Sequence, residues 1–229
     1  MIKTILWDVD NTLLDFKAAE SAAIASLFRD FKLGECTDEM ISRYSAINDV
    51  HWKKLERGEL TKPEVLIGRF ETFFGEYGID KALAPAFNAE YQQRLGDTIV
   101  FRDNSYEIVK SLRGRARQYA VSNGTVVAQT KKLRLSGLGD LMDAVFLSEQ
   151  VGFEKPDVRF FDAIFAYDPD MKKAETLIVG DSLTSDIRGG MNAGIKTCWY
   201  CPEGKSVPDG YRVDFLLRDL NGIYELLGR

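Results

Sequence analysis

Near its N-terminus the sequence reads TILWDVDNT (residues 4–12), a short apolar run that stops at two aspartates. A run of this length is typical of a strand buried on both faces of a parallel sheet. Similar runs follow at 119–121, 144–147, 176–179, 197–200 and 214–217, with helical patterns at 126–135, 157–166 and 185–193. Strands that alternate with helices predict an α/β fold, in which helices cover both faces of a parallel sheet.

Residues 16–95 interrupt this alternation, because no strand pattern occurs there. Apolar residues recur at helical spacing between positions 23 and 31. Thr61 and Glu64 have the spacing of a capping box, which predicts the start of a further helix. We therefore expect a Rossmann-like core in two pieces, 1–15 and 96–229, with an α-helical cap inserted at 16–95.

The composition excludes several classes of protein. The 229 residues include 30 Lys and Arg against 35 Asp and Glu, a net charge of −5, which does not suit a nucleic acid polymer as partner. No apolar stretch reaches the roughly 18 residues of a membrane span. Three cysteines suggest a reducing compartment, and we expect a cytoplasmic protein that is a monomer or dimer.

The single histidine, His51, limits the chemistry further. One histidine cannot supply a zinc site of two or three histidine ligands. A catalytic triad would also need His51, which lies in a polar helical segment with no nucleophile motif nearby. Acid–base chemistry is therefore expected to use carboxylates and lysine.

Polar residues follow three of the predicted strands, where ligands of parallel sheets bind. Each group on its own could be an ordinary turn or helix cap, but their order along the chain indicates one site. The groups are Asp8 and Asp10 with Asn11 and Thr12, then Ser122 and Asn123 with Gly124, then Lys155, and last Gly180 and Asp181 through Asp186.

In this order the groups resemble the four motifs of the haloacid dehalogenase superfamily of phosphotransferases, over essentially the whole chain. The helical insertion lies where that family carries its cap. Within the cap, a narrower resemblance to pyrimidine 5′-nucleotidases that clear non-canonical nucleotides rests on Asn48, Trp52, Gly58 and the segment Arg69-Phe70-Glu71.

The resemblance implies a magnesium-dependent phosphatase. The metal ligands would be the Asp8 carboxylate, the Asp10 carbonyl and the Asp181 carboxylate, with Asp186 acting through water or by positioning Lys155. Four converging carboxylates repel each other and a phosphate, so a hard divalent cation such as Mg²⁺ suits them on physical grounds as well.

The same resemblance implies a mechanism through an aspartyl-phosphate. Asp8 would attack phosphorus, and Asp10 would act first as general acid and then as general base. The phosphate would be bound by side chains and backbone of Asn11, Thr12, Ser122, Asn123 and Lys155. Asp10 also argues against carbon–halogen chemistry, which needs no acid for a leaving oxygen.

Two features leave questions open. Arg102-Asp103-Asn104 stands where the family often has a Pro-Gly turn after the cap, so the hinge geometry is not predicted. Cys198 and Cys201 have the spacing of a metal or redox pair, but no second pair exists, and we interpret the spacing as incidental.

The substrate is expected to be a small phosphate ester, with a pyrimidine nucleoside monophosphate favoured. Trp52 or Phe70 could stack on a base and Asn48 could bind its edge. The alternative is that the aromatic residues form the interior of the cap and Asn48 is solvated. Phosphoglycolate, sugar phosphates, phosphoglucomutase-like transfer and a catalytically silent binding protein remain the other candidates.

Overall fold

The computed structural model describes residues 1–228 and separates two units of the chain. The first unit comprises Met1–Asp15 and Ile99–Arg229, and the second comprises Phe16–Thr98. The second unit thus ends at residue 98, whereas the sequence pattern placed the end of the insertion at residue 95.

Within residues 1–228, six parallel strands form the sheet of the first unit, in the spatial order β3-β2-β1-β4-β5-β6. The chain builds outward from β1 in one direction through β2 and β3, and in the other through β4, β5 and β6. Ligands of such sheets bind beyond the carboxyl ends of the strands where this direction reverses. The strands are β1 (Thr4–Trp7), β2 (Arg117–Ser122), β3 (Ala144–Leu147), β4 (Thr176–Gly180), β5 (Lys196–Tyr200) and β6 (Phe215–Leu217).

Helices connect the strands and make up the second unit. A π-helical turn, Leu183–Ile187, leads directly into α9, and short 3₁₀ turns lie at Lys81–Leu83, Gly139–Leu141, Lys173–Glu175 and Leu220–Gly222. The α-helices are α1 (Phe16–Asp30), α2 (Asp38–Glu56), α3 (Lys62–Glu76), α4 (Ala84–Arg94), α5 (Ser105–Ser111), α6 (Val126–Ser136), α7 (Ser148–Val151), α8 (Val158–Tyr167), α9 (Arg188–Ala193) and α10 (Ile223–Leu226).

Both faces of the sheet are covered, as the alternation of strands and helices predicted. Successive side chains of a strand point to opposite faces. In β1, Ile5 and Trp7 pack with apolar residues of α5, α6 and α10. Leu6, between them, packs on the other face with residues of α8. All three side chains are fully buried, which confirms the predicted α/β fold.

The second unit is built around aromatic side chains contributed by all four of its helices. Phe28 of α1 and Tyr44 of α2 meet Phe70 and Phe73 of α3 and Phe87 of α4, and all five are fully buried. Edge-to-face and offset pairs of this kind contribute beyond their buried area. The second unit therefore has an apolar interior of its own.

The capping box predicted for the second unit is present at the start of α3. The Glu64 carboxylate accepts hydrogen bonds of 2.7 Å from both the backbone N–H and the hydroxyl of Thr61. Pro63 occupies the first turn of the helix, where no backbone donor is needed. Local sequence thus determines where this helix begins.

The segment Arg102-Asp103-Asn104, whose geometry the sequence did not predict, leads into α5. Asp103 and Asn104 have φ values of 43° and 62°, in the left-handed region that asparagine and aspartate tolerate better than most residues. The Asp103 carboxylate accepts hydrogen bonds from the Tyr200 hydroxyl at 2.7 Å and the Leu220 N–H at 3.1 Å. These contacts to the end of β5 and to the C-terminal segment hold the turn without glycine.

Candidate active site

The loop after β1 is joined to the end of β4 through Thr12. Its hydroxyl donates to the Asp8 carboxylate at 2.9 Å and accepts from the backbone N–H of Asp181 at 3.1 Å. The Asp8 N–H donates to the Val179 carbonyl at 2.9 Å. Asp8 and Asp181 therefore emerge side by side, as expected for residues at the carboxyl ends of adjacent parallel strands.

Lys155 lies at the centre of the site. Its ammonium donates to the Asp8 carboxylate at 2.8 Å, to the Asp186 carboxylate at 2.7 Å and to the Val121 carbonyl at 2.9 Å. The residue is only 1% exposed, so all three of its donors are used inside the protein. Burial lowers the pKa of Lys155, but Asp186 and Asp8 outweigh that effect and raise it, so the ammonium stays charged.

Three carboxylates crowd around this lysine. Oxygen atoms of Asp8, Asp181 and Asp186 all lie within 4.8 Å of one another. Burial, followed by repulsion from Asp186, raises the pKa of Asp8 from 3.8 to about 7 against the opposing effect of Lys155. Burial and the Asp8 charge likewise raise the pKa of Asp181 well above its usual value.

This donor set fits a magnesium ion. It is composed of carboxylate oxygens, the ligands that hard divalent cations prefer, and a cation there would offset the repulsion that raises both pKa values. Asp181 makes no side-chain hydrogen bond to any residue within 1–228, which leaves its oxygens available to a metal. Both Asp186 oxygens accept hydrogen bonds, from Lys155 and from the Ser182 N–H at 3.1 Å.

The absence of a side chain at Gly180 allows Asp186 to take this position. A Cβ built on Gly180 would lie 2.2 Å from a carboxylate oxygen of Asp186, far inside van der Waals contact. The glycine that ends β4 is therefore required for the close approach of backbone and carboxylate, beyond its role in a turn.

Ser122 and Asn123 lie at the end of β2, and Asn123 is bound to the segment that carries Lys155. Its side-chain oxygen accepts from the Lys155 N–H at 2.8 Å, and its amide donates to the Lys155 carbonyl at 2.8 Å. The Ser122 hydroxyl accepts from the Gly124 N–H at 3.0 Å. Asn123 thus fixes the backbone that presents the lysine, and the expected phosphate contacts of both residues stay predictions.

Asn11 turns the loop after β1. Its φ of 63° is left-handed, and its N–H donates to the Leu14 carbonyl at 2.7 Å. Its side-chain oxygen is buried without a hydrogen-bond partner within residues 1–228. The predicted contact of Asn11 with phosphate stays a prediction.

Two residues that the sequence patterns did not single out bind Asp10. The Gln129 amide donates to one oxygen of the Asp10 carboxylate at 2.5 Å, and the Lys132 ammonium donates to the other at 2.5 Å. Both lie on α6, three residues apart, and both are only 1% exposed. The signal in the sequence is a Gln and a Lys three residues apart, on one face of the helix that follows the Ser-Asn-Gly motif.

The three cap residues predicted to bind substrate differ in their surroundings within the helical unit. Phe70 is fully buried, with its ring stacked on Tyr44 at a centroid distance of 5.0 Å, which favours the alternative that it packs in the interior. Asn48 is buried rather than solvated: it donates to Glu20 at 3.0 Å and accepts from Arg69 at 2.7 Å. Trp52 is half-buried.

Two cysteines and the single histidine are the other residues that the sequence offered for metal or redox chemistry. Cys198 and Cys201 are free thiols buried in different apolar clusters. His51 is half-buried on α2, with its ring nitrogen 2.9 Å from the Ile47 carbonyl. Within residues 1–228 no helix is long and apolar enough to cross a membrane.

Comparison with known proteins places these motifs in a family. A family model described as haloacid dehalogenase-like hydrolase matches residues 5–200. The chain is 36% identical over 225 residues to the HAD-hydrolase YfnB of Bacillus subtilis, covering 98% of this chain and 95% of that protein. The crystal structure of YfnB bound to magnesium has a TM-score of 0.91, with 100% of this chain and 99% of that one covered.

Two further relatives carry the name pyrimidine 5′-nucleotidase. PynA of Streptococcus pneumoniae is 37% identical over 204 residues, covering 87% of this chain and 84% of PynA. YjjG of Escherichia coli is 27% identical over 223 residues, covering 97% of this chain and 96% of YjjG. The similarity to each of these proteins extends over both units of the chain.

Proposed function

This chain belongs to the haloacid dehalogenase-like hydrolase family, and from that premise we propose that it is a magnesium-dependent phosphatase that hydrolyses pyrimidine nucleoside monophosphates. The observation that carries the chemistry is the buried Lys155, which bridges the carboxylates of Asp8 and Asp186 beside Asp181. Two relatives named pyrimidine 5′-nucleotidase, and a similar structure that binds magnesium, support the substrate and the metal.

The first step is the transfer of the phosphoryl group to Asp8. Lys155 and Thr12 each hold one oxygen of the Asp8 carboxylate and so orient it for attack. A bond forms between an Asp8 oxygen and phosphorus while the bond from phosphorus to the leaving oxygen breaks. Asp10 donates the proton that the leaving oxygen requires.

The second step returns Asp8 to its starting form. Asp10, now ionised, takes a proton from a water molecule, whose oxygen attacks phosphorus, and the bond to Asp8 breaks to release inorganic phosphate. Asp8, Asp181 and the Asp10 carbonyl would hold the magnesium ion, which when bound supplies positive charge beside the phosphate oxygens. Lys155 supplies a further positive charge at the same place.

Retention of the whole set of acids argues for an enzyme rather than a binding protein that has kept the fold. A buried cluster of like charges destabilises a protein unless function maintains it. Asp8, Asp10, Asp181 and Asp186 are all present, and Lys155 joins two of them. We assign the choice among phosphate esters to the helical unit. Its half-buried aromatic residue Trp52 is the candidate for stacking on a base.

The test is release of inorganic phosphate from a panel of uridine, thymidine and purine monophosphates, phosphoglycolate and hexose phosphates, with magnesium or with chelator. We expect chelator-sensitive release that favours the pyrimidine monophosphates and is abolished in Asp8→Asn. Asp209→Asn, at an exposed position outside the four motifs, is the matched control and should keep full activity.

The outcomes separate the parts of the proposal. Metal-dependent release from phosphoglycolate or hexose phosphates alone would retain the chemistry and refute the nucleotide substrate. Wild-type turnover in Asp8→Asn would refute the assignment of Asp8 as the nucleophile. No release from any ester, by a protein that melts cooperatively, would favour a binding protein.

A further inference from the structure

We propose that Gln129 and Lys132 of α6 are positioning residues that hold the Asp10 carboxylate in place to protonate the leaving group. The proposal rests on the proposed phosphatase function and adds two residues to it. Gln129 contacts one carboxylate oxygen and Lys132 the other, each at 2.5 Å, so the carboxylate is held at both ends, and the second lone pair of an oxygen carries the proton that Asp10 donates. A carboxylate held at both oxygens cannot rotate freely, and its orientation is then set by the rigid helix that carries its partners.

The position of Gln129 indicates a role beyond the stability of the fold. Its side-chain oxygen is buried and has no hydrogen-bond partner within residues 1–228, while its amide points at Asp10. A buried acceptor without a partner costs stability, and in native proteins such groups are uncommon outside functional sites. The side chain of Gln129 therefore orients Asp10 through its amide nitrogen while its own oxygen stays unpaired.

Gly124 supplies an independent observation. A Cβ built on this residue would lie 2.2 Å from the Gln129 amide nitrogen and 2.9 Å from the side-chain carbon that bears it. Gly124 does not have a left-handed φ, so its backbone does not require glycine. The lack of a side chain at Gly124 therefore leaves room for the Gln129 amide to reach Asp10.

Lys132 brings a charge to the same carboxylate. Its side chain is 2% exposed and forms an ion pair with Asp10, whose own side chain is 23% exposed. A buried ammonium is retained only where its charge is compensated, and Asp10 supplies that compensation across 122 residues of sequence. The ion pair therefore couples the position of α6 to the orientation of Asp10.

The experiment compares two leaving groups. An alkyl phosphate, the panel member that the wild type hydrolyses fastest, needs a proton on its leaving oxygen, whereas p-nitrophenolate leaves as a stable anion. The value of kcat/KM includes only the steps up to departure of the leaving group, so it reports on Asp10 as acid and not on its later role as base. The variants are Gln129→Leu, Lys132→Met and Gly124→Ala, and Arg134→Met, an exposed cation on the same helix, is the matched control.

We expect kcat/KM for the alkyl phosphate to fall by about 10²-fold in Lys132→Met, the order of loss for a misplaced catalytic group. The value for p-nitrophenyl phosphate should fall by less than about 3-fold, because that ester does not depend on the acid. Gln129→Leu and Gly124→Ala should show the same selectivity with a smaller loss, and Arg134→Met should match the wild type with both substrates.

An equal loss with both substrates, or no loss with either, would overturn the proposal, since a purely structural role affects both leaving groups alike. Gly124→Ala retains Gln129, Lys132 and Asp10, so it keeps the test decisive if Lys132→Met does not fold. If the wild type releases phosphate from no ester, the phosphatase function itself fails and this inference fails with it. Selective loss against an active wild type supports both.

Discussion

Replacing Lys155 by methionine is expected to destabilise the unit that contains the sheet, because Lys155 compensates two buried carboxylates. The substitution keeps the length and apolar stem of the side chain and removes the ammonium that donates to Asp8, Asp186 and the Val121 carbonyl. Removing one partner of a buried ion pair costs about 3–5 kcal/mol. At roughly 2–4 °C per kcal/mol for a protein of this size, the melting temperature should fall by about 6–20 °C.

The stability lost in Lys155→Met should be greater at high pH than at low pH. The pKa of Asp8 is about 7 in the folded protein against 3.8 for an unperturbed carboxyl, so the folded state binds this proton more tightly than the unfolded state does. The corresponding stability is fully present below the unfolded pKa and is lost as pH rises through 7. Lys155 lowers the pKa of Asp8. The Lys155→Met variant should therefore lose more stability between pH 5 and pH 8 than the wild type does.

The assay is differential scanning calorimetry of wild type and Lys155→Met in chelator at pH 5 and pH 8. Adding Asp186→Asn to the variant removes one of the two uncompensated charges, and we expect it to recover part of the lost stability at pH 8. A melting temperature for Lys155→Met at pH 8 within about 1 °C of the wild type would refute the reasoning, because the cluster would then be solvated enough to need no lysine.

Two further predictions concern the same site and the helical unit. Gly180→Ala places a methyl group 2.2 Å from the Asp186 carboxylate, so we expect a loss of about 1–3 kcal/mol by calorimetry together with reduced kcat. Unchanged turnover would show that Asp186 can move without consequence. Trp52→Ala should raise KM for pyrimidine monophosphates at least several-fold and leave p-nitrophenyl phosphate unaffected, and equal values of KM would remove Trp52 from the proposed recognition of the base.

The strands could be predicted because each contains a short apolar run, which is buried in the middle of the sheet and only partly buried in the edge strands β3 and β6. The run at residues 144–147 coincides with β3, and that at 176–179 differs from β4 by one residue. The start of α3 could also be predicted from neighbouring residues, because Thr61 and Glu64 form the capping box within a single turn. Such features depend on neighbours in sequence, and the chain displays them directly.

The role of the aromatic residues in the helical unit was harder to predict. Helical spacing places Phe70 on a face of α3 but does not say whether that face meets solvent, substrate or other helices. The stacking of Phe70 on Tyr44 answers this question for the folded unit. Asn48 is a similar case. A polar residue in a helix is usually solvated, but Asn48 is buried and hydrogen-bonded to Glu20 and Arg69, in a network that joins three helices.

The positions of acidic and polar residues after three apolar runs can be read from the sequence, and a parallel sheet brings such strand ends to one edge. Which of these groups pair with one another depends on contacts that the sequence does not display. Lys155 joins Asp8 across 147 residues, and Gln129 and Lys132 reach Asp10 across 119 and 122 residues. Strand ends are aligned by backbone hydrogen bonds that do not depend on the side chain, whereas these pairs depend on the packing of α6 and of the loop between α7 and α8 that carries Lys155, which distant parts of the chain determine.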